Sequence, residues 1–313
     1  MFNYTIRKMI SAVPVLIGVT ILVFLVLHLT PGDPARILAG PDAYEEDIAA
    51  IRQRLGLNDP LYVQYGNFMA GLIRLDFGRS FRTGRPVITD IARRFPNTME
   101  LALVSLFWAT IVGVVVGVYA AIRPGSTADG ASMTAALLGV SIPTFWLGLI
   151  LMLIFSYYLG WFPASGRAGP FWTPEGFRSI FLPAISLGAP SAAILARLTR
   201  SSLLEVLGED YVRTAKAKGL AQKVVIYRHA LRNALIPVVT ITGLELGYLM
   251  GGALITEQVF AWPGLGRLII NGIYAHDYPT VQASILVLAG IFVLVNLVTD
   301  LFYAVLDPRI KYN

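Results

Sequence analysis

The sequence predicts an all-α integral membrane protein with six transmembrane helices. Three observations predict it: a composition too apolar for a soluble chain, six apolar runs of bilayer-spanning length, and basic residues gathered into a few connecting loops. Of 313 residues, 56% are hydrophobic and 14% charged, against about 25% charged in an ordinary soluble domain. The mean hydropathy is +0.65. A soluble fold of this length needs more polar residues than that to cover its core.

The apolar runs cover residues 9–29, 99–122, 132–159, 180–196, 235–255 and 284–306. A run of about 20 residues crosses the hydrocarbon core as a helix. Helices are required because lipid offers no partner to backbone N–H and C=O groups. The alternating ten-residue segments of a β-barrel are absent. The fourth run is short and contains Pro183 and Pro190, so its ends are the least defined. Pro143, in Ser141-Ile142-Pro143-Thr144, is expected to kink the third helix. The first run follows Arg7 and Lys8 and spans 21 residues, longer than the about 7–15 apolar residues of a signal peptide. No small-residue cleavage site follows it, so it is expected to be an uncleaved anchor.

Loop charge sets the expected orientation. The segment 197–233 carries eight Lys/Arg against three acids, and Arg7, Lys8, Arg309 and Lys311 flank the termini. The loops on the other side hold only Arg167, Arg178 and Arg267. The positive-inside rule places both termini and the 197–233 loop in the cytoplasm. The long loop 30–98 then lies outside; its nine arginines face eight acids, and long loops escape the rule. The net charge of +6 therefore reflects topology, not nucleic-acid binding. The chain divides into a first membrane helix (1–29), an external loop region (30–98), a membrane core (99–306) carrying the 197–233 loop, and a C-terminus (307–313).

The external loop is too long for a structureless connection. Residues 47–57 and 61–75 are expected to be helical, separated by Gly56 and Asn58-Asp59-Pro60. A spacer and a contact surface for an external partner both fit that composition. Within the cytoplasmic segment, residues 203–217 are expected to form a helix that Gly219 caps.

Two carboxylates fall inside apolar runs, Glu245 in the fifth and Asp300 in the sixth. An ionised carboxylate at a helix centre costs about 2.5–3.5 kcal/mol on insertion scales, so such residues turn toward protein or water. Pathway lining and a satisfied helix–helix contact both fit Glu245; for Asp300 the structural contact is the better fit. Gly113 and Gly117, and Gly243, Gly247 and Gly251, recur at four-residue spacing, a pattern that lets helices approach closely.

Enzyme signatures are missing. The chain has no cysteine, no G-x-x-x-x-G-K-[ST] phosphate loop, no H-E-x-x-H and no G-x-S-x-G. His28, His229 and His276 are far apart. No catalytic residue, metal site or cofactor is expected.

The segment Glu209-Asp210-Tyr211-Val212-Arg213-Thr214-Ala215-Lys216-Ala217-Lys218-Gly219 resembles the coupling loop of ABC importer permeases, in the form found in the dipeptide/oligopeptide/nickel branch, first-permease (B-type) subunits. The resemblance extends collinearly through Pro31-Gly32-Asp33-Pro34, Leu55-Gly56-Leu57 with Pro60-Leu61, Asp76-Phe77-Gly78, Arg94 with Pro96 and Thr98, Val259-Phe260-Ala261-Trp262-Pro263-Gly264-Leu265-Gly266, Asp277-Tyr278-Pro279 and Asp307-Pro308-Arg309. Where the broad permease pattern has Glu-Ala-Ala, this chain reads Arg213-Thr214-Ala215, as in the peptide-permease branch.

The resemblance implies a type I importer permease fold with a helical external loop, in a bacterial inner membrane. It implies four partners besides the bilayer: a second homologous permease, two ATP-binding subunits, and an extracytoplasmic solute-binding protein. Residues Glu209, Asp210, Tyr211, Arg213, Thr214, Ala215, Lys216, Ala217, Lys218 and Gly219 would dock the ATPase. Di- or oligopeptides are the expected solutes, with glutathione or nickel chelates as alternatives. An ion-coupled secondary transporter or a membrane scaffold would leave the collinear motifs unaccounted for.

Overall fold

A computed structural model describes residues 2–29 and 31–306, with side chains for 7–29 and 31–300. The expectations for Asp307-Pro308-Arg309 and Lys311 lie outside the described residues. The chain is helical, with no β-strand among the described residues. Five helices are long and apolar enough to cross a membrane, or six if one bent pair counts as a single broken span. Two compact units form, one from Met1–Thr98 and Ala261–Val293, the other from Met99–Phe260 and Leu294–Asn313.

The first unit holds α1 (Phe2–Leu29), α2 (Pro34–Ala39), α3 (Glu45–Arg54), α4 (Leu61–Ile73), the start of α5 (Val87–Ala121), α12 (Leu265–Tyr274) and the start of α13 (Tyr278–Leu306). The two helices expected in the external loop are present as α3 and α4, and α2 joins them. Asp33 caps α2, accepting from Ala35 N at 3.0 Å, with Pro34 at the first helical position, where a missing N–H costs nothing. Asp33 also pairs with Arg52 of α3. Burial alone would raise the Asp33 pKa, but the Arg52 guanidinium and the backbone donors of α2 outweigh it and hold the carboxyl below its ordinary value.

Several motifs that carried the family resemblance are pins of this unit. Trp262, fully buried, donates from Nε1 to Asn97 O at 2.9 Å, and Asn97 Nδ2 donates to Pro263 O at 2.8 Å. Leu265 N donates to Thr98 Oγ1 at 2.8 Å. Asp277, 4% exposed, accepts from Ser80 Oγ (2.5 Å), Phe81 N (2.9 Å) and Thr280 Oγ1 (2.8 Å). Val87, Ile91, Leu265, Leu268 and Ala283 form the apolar core beside these bonds.

The second unit is organised on α8 (Pro174–Leu207), whose most apolar stretch is 72% buried, against 22–39% for the other long helices. The expected short helix over 180–196 is thus a 34-residue element. Pro183 and Pro190 lie inside it, tolerated where neighbouring helices re-satisfy the freed backbone. The remainder of α5 packs against α8 through Gly113 and Gly117. A Cβ on Gly113 would sit 2.7 Å from Leu195 Cβ, and one on Gly117 2.5 Å from Ala196 O. The expected small-residue interface is present, with α8 as its partner.

The third span is not kinked but broken. α6 (Thr127–Ser141) and α7 (Thr144–Leu151, continued by a π-helical segment to Tyr158) meet at 107°. Pro143 disfavours helical backbone at Ile142, which is extended at ψ 126°, so the chain turns a corner there. Both arms rest on α8.

After α8 come α9 (Asp210–Ala217) and α10 (Gln222–Val224). A π-helical turn, Val225–Ala230, then leads into α11 (Leu231–Val259). The expected continuous helix over 203–217 is interrupted. α8 ends at Leu207, Gly208 and Glu209 change direction, and Glu209 is extended at ψ 147° in the cap position. The expected single glycine face of α11 also divides. Gly243 packs on Thr299, where a Cβ would meet Cγ2 at 2.4 Å, whereas nothing lies within 4 Å of a Cβ on Gly251.

Candidate functional site

The segment 209–219 forms a short helix seated on the second unit. Val212 and Ala215, three residues apart and so on one face, are buried at 0% and 8% exposure. They join a core with Val118 and Ala121 of α5, Leu203 of α8, Val225 and Ala230 of the π-helical turn, and Ala234 of α11. Three long apolar helices, α5, α8 and α11, thus converge with the π-helical turn under one helix.

The other face is open. Asp210, Tyr211, Arg213, Thr214, Lys216, Ala217, Lys218 and Gly219 are exposed, as is Glu209 at the cap. Thr214 Oγ1 donates back to Asp210 O at 2.9 Å. Arg213 lies 3.4 Å from Asp210, an exposed pair worth little to stability. Tyr211 Oη accepts from Asn233 Nδ2 at 2.7 Å, tying the helix to the start of α11. Gly219 closes the helix with φ +76°, its N–H donating to Lys216 O at 2.9 Å. Ala215, expected on the docking surface, instead faces the chain's own core.

The intramembrane carboxylates occupy different settings. Glu245, half-buried on α11, accepts from Ser191 Oγ of α8 at 2.5 Å. Asp300 is half-buried on α13 and is engaged there.

Two ion pairs went unread in the sequence. Asp129, 4% exposed at the start of α6, receives Arg200 of α8 in bidentate geometry, Nε at 2.6 Å and Nη2 at 2.8 Å. It also accepts from Gly125 N at 3.0 Å, which fastens the α5–α6 turn to α8. Glu100 on α5 accepts from Arg167 Nε at 2.8 Å and Phe171 N at 2.6 Å, fixing the loop before α8. The partners are 71 and 67 residues apart, with no local periodicity to announce them. Among the described residues no cluster of His, Asp and Glu suited to a metal is present.

A multi-span helical protein whose membrane helices converge on one small, basic, outward-facing helix is built as the membrane component of a larger machine. Residues 113–312 match the family described as "Binding-protein-dependent transport system inner membrane component", and residues 1–102 match its N-terminal companion family. The chain belongs to this family of ABC importer permeases. It is 45% identical over 313 residues, the whole of both chains, to the glutathione transport system permease protein GsiC of Escherichia coli K12. The GsiC protein of Salmonella typhimurium LT2 is equally similar, 45% over the full length of both. Among solved structures, inward-facing conformations of the MetNI methionine ABC transporter match with a TM-score of 0.59 at 20% identity, covering 71% of this chain and 99% of that one. That likeness concerns the fold. The chain is a multi-pass inner-membrane permease of a bacterial ABC importer.

Proposed function

We propose that this permease pairs with a second, homologous permease to form a translocation path for short peptides, glutathione-like tripeptides among them, and that α9 is where ATP-binding subunits engage it. The observation that carries this is the two-faced α9: Val212 and Ala215 buried in the permease core, with Arg213, Thr214, Ala217 and Lys218 left open. Anchored in this way, α9 moves with α5, α8 and α11 instead of swinging free. Two ATP-binding subunits closing on ATP would draw the α9 helices of both permeases together. The membrane helices would then pass between discrete packings that open the path inward or outward.

In this reading both termini and α9 are cytoplasmic, as the loop charges require. The loop between α1 and α5 faces the binding protein that delivers the solute. Peptide specificity draws support from the full-length similarity to glutathione permeases. Glu245 serves beside the path as a polar contact joining α11 to α8.

The test is reconstitution of this permease with its partner permease and ATP-binding subunits in proteoliposomes. Uptake of labelled dipeptides, longer peptides and glutathione is measured with the binding protein and ATP present. Arg213→Glu with Lys218→Glu should abolish uptake and ATPase co-purification while membrane insertion is unchanged. Full ATP-driven uptake by that variant would remove α9 from the docking role.

A further inference from the structure

Two cavities of the first unit lie along one seam between α1, α4 and the start of α13. The contacts set their order. His28, near the end of α1, stands 5.1 Å ring to ring from Tyr278 at the start of α13, and its Nε2 lies 3.1 Å from Gln64 Oε1 of α4. Two turns back along α1, Thr20 Oγ1 is 2.8 Å from Tyr65 Oη. Farther back, Leu16 and Ile17 share the second cavity with Met69 and Leu72 of α4 and Leu286 and Val287 of α13. Both α4 and α13 therefore run antiparallel to α1, and the second cavity lies below the first, away from the Leu29 end. Phe77 lines both.

The two cavities differ in chemistry. The upper one, about 290 Å³, has walls of Phe24, Phe68, Phe77, Phe81 and Tyr278, with the carboxylates of Asp59 and Asp76 and no Lys or Arg among its described lining residues. Asp76 Oδ1 accepts from Gly78 N at 2.9 Å; neither acid has an ion pair among the described residues. Gln282 also lines this chamber. The residue is 6% exposed, and its amide has no hydrogen bond among the described residues. A buried amide without a partner costs free energy unless a ligand or water supplies the bond. The lower cavity, about 390 Å³, is apolar apart from Thr20, whose hydroxyl is already bonded to Tyr65.

Position along α1 identifies the surroundings. Leu16 to Thr20 lie in the middle of the apolar run 9–29, so the lower cavity is at hydrocarbon depth. From Ile17 to His28 is about 16 Å at 1.5 Å per residue, close to half of the roughly 30 Å of hydrocarbon and so to the depth of one leaflet. The make-up of α4 fits that setting. Its 13 residues carry no charge, none is buried, and Ile73 at its end and Leu75 just beyond are 81% and 77% exposed. In water that surface is an unpartnered apolar patch; in a leaflet it is satisfied. Arg74, at the tip, has a stem long enough to carry its charge back toward headgroups.

We propose that this seam binds one phospholipid with an amine headgroup, of the phosphatidylethanolamine type, its ammonium in the aromatic chamber and an acyl chain in the lower cavity. Aromatic faces and carboxylates both attract a cation, and the Gln282 amide offers a donor to the phosphate. The lower cavity is continuous with the lipid-facing surface of α1, whereas a soluble amine would leave it empty. α4, expected from the sequence in the external loop, then dips into the leaflet at the Leu29 end of α1. That leaflet is the outer one in the proposed orientation, but the site requires only that α1 spans the bilayer.

The test uses the purified complex of this permease, its partner permease and the ATP-binding subunits, delipidated in detergent. It is titrated with dioleoyl phosphatidylethanolamine or phosphatidylglycerol, and retained lipid is counted by native mass spectrometry. Wild type should retain one phosphatidylethanolamine in preference to phosphatidylglycerol. Asp59→Asn/Asp76→Asn keeps an acceptor for Gly78 N and should lower that preference by about 5-fold. Gly290 lines the lower cavity, and nothing lies within 4 Å of where its Cβ would be. Gly290→Phe should therefore plug the cavity and lose both lipids, while Gly290→Ala retains them. ATPase co-assembly should be equal in all variants. An unchanged preference in the Asn pair overturns the headgroup assignment, and it does so even if the plugged variant fails to assemble. Full retention by Gly290→Phe overturns the acyl-chain assignment. Displacement of the lipid by a soluble dipeptide that binds Gly290→Phe equally well overturns both and assigns the chamber to a solute.

Discussion

Replacing Gly219 by alanine and, separately, by asparagine separates backbone geometry from side-chain bulk at the end of α9. Gly219 has φ +76°, and nothing lies within 4 Å of where a Cβ would be. Space is therefore free and the penalty is conformational. A non-glycine residue in the left-handed region costs about 1–2 kcal/mol, with asparagine the side chain that tolerates it best. That loss falls on the closing turn, where Gly219 N bonds Lys216 O and the chain departs toward α10. One to two kcal/mol corresponds to about a 5- to 30-fold loss in the population holding this geometry. The assay is titration of detergent-solubilised permease pairs with ATP-binding subunits, alongside ATP-driven uptake at matched membrane levels. Gly219→Ala should weaken assembly within that range, and Gly219→Asn should stay near wild type despite its larger side chain. If asparagine is as damaging as alanine, the position is read for size by a partner, not for φ. If alanine is neutral, the turn is not part of the docking geometry.

Three further outcomes are expected. Gly117→Leu forces a side chain where even a Cβ would meet Ala196 O at 2.5 Å; overpacking of about 1–3 kcal/mol should lower the melting temperature of the purified complex, measured by tryptophan fluorescence, with insertion unchanged. Glu245→Gln retains an acceptor for Ser191 and should keep thermal stability, whereas Glu245→Leu leaves that hydroxyl unpaired and should lower both stability and uptake. Because the Asp33 pKa is depressed in the folded chain, its pairing with Arg52 stabilises the α2–α3 region above the ordinary carboxylate range and is lost as pH falls through the folded value. Hydrogen exchange in α2 and α3 should therefore accelerate on acidification below about pH 4, and Asp33→Asn should remove that step.

The spans were legible because a lipid-facing helix cannot hide its composition. Their ends were less so, since hydropathy stops at the membrane while helices do not. α5 begins at Val87, twelve residues before the apolar run, through a polar stretch that includes Arg93 and Arg94. In α8 the short apolar run with its two prolines left the ends undefined, yet the helix runs unbroken from Pro174 to Leu207. Pro143 acted more strongly than a kink because it drives Ile142 out of helical geometry at the same point. Around α9 the basic, glycine-closed segment was recognisable, but not which side of it faced inward; Val212 and Ala215 turn toward a core supplied by distant elements. Asp129–Arg200 and Asp277–Ser80 are long-range partners, and pairing of that kind leaves no trace in local spacing.

The corner in the third span has a mechanical consequence. A straight helix carries tension and compression end to end; two arms meeting at 107° do neither, and each must be braced separately. Both are braced on α8, which also supports α11 and ends two residues before Glu209 opens α9. At about 51 Å, α8 is longer than the membrane is thick. A load taken up at α9 would reach the foot of this one strut and be shared among three neighbours at different heights, with no jointed relay between them.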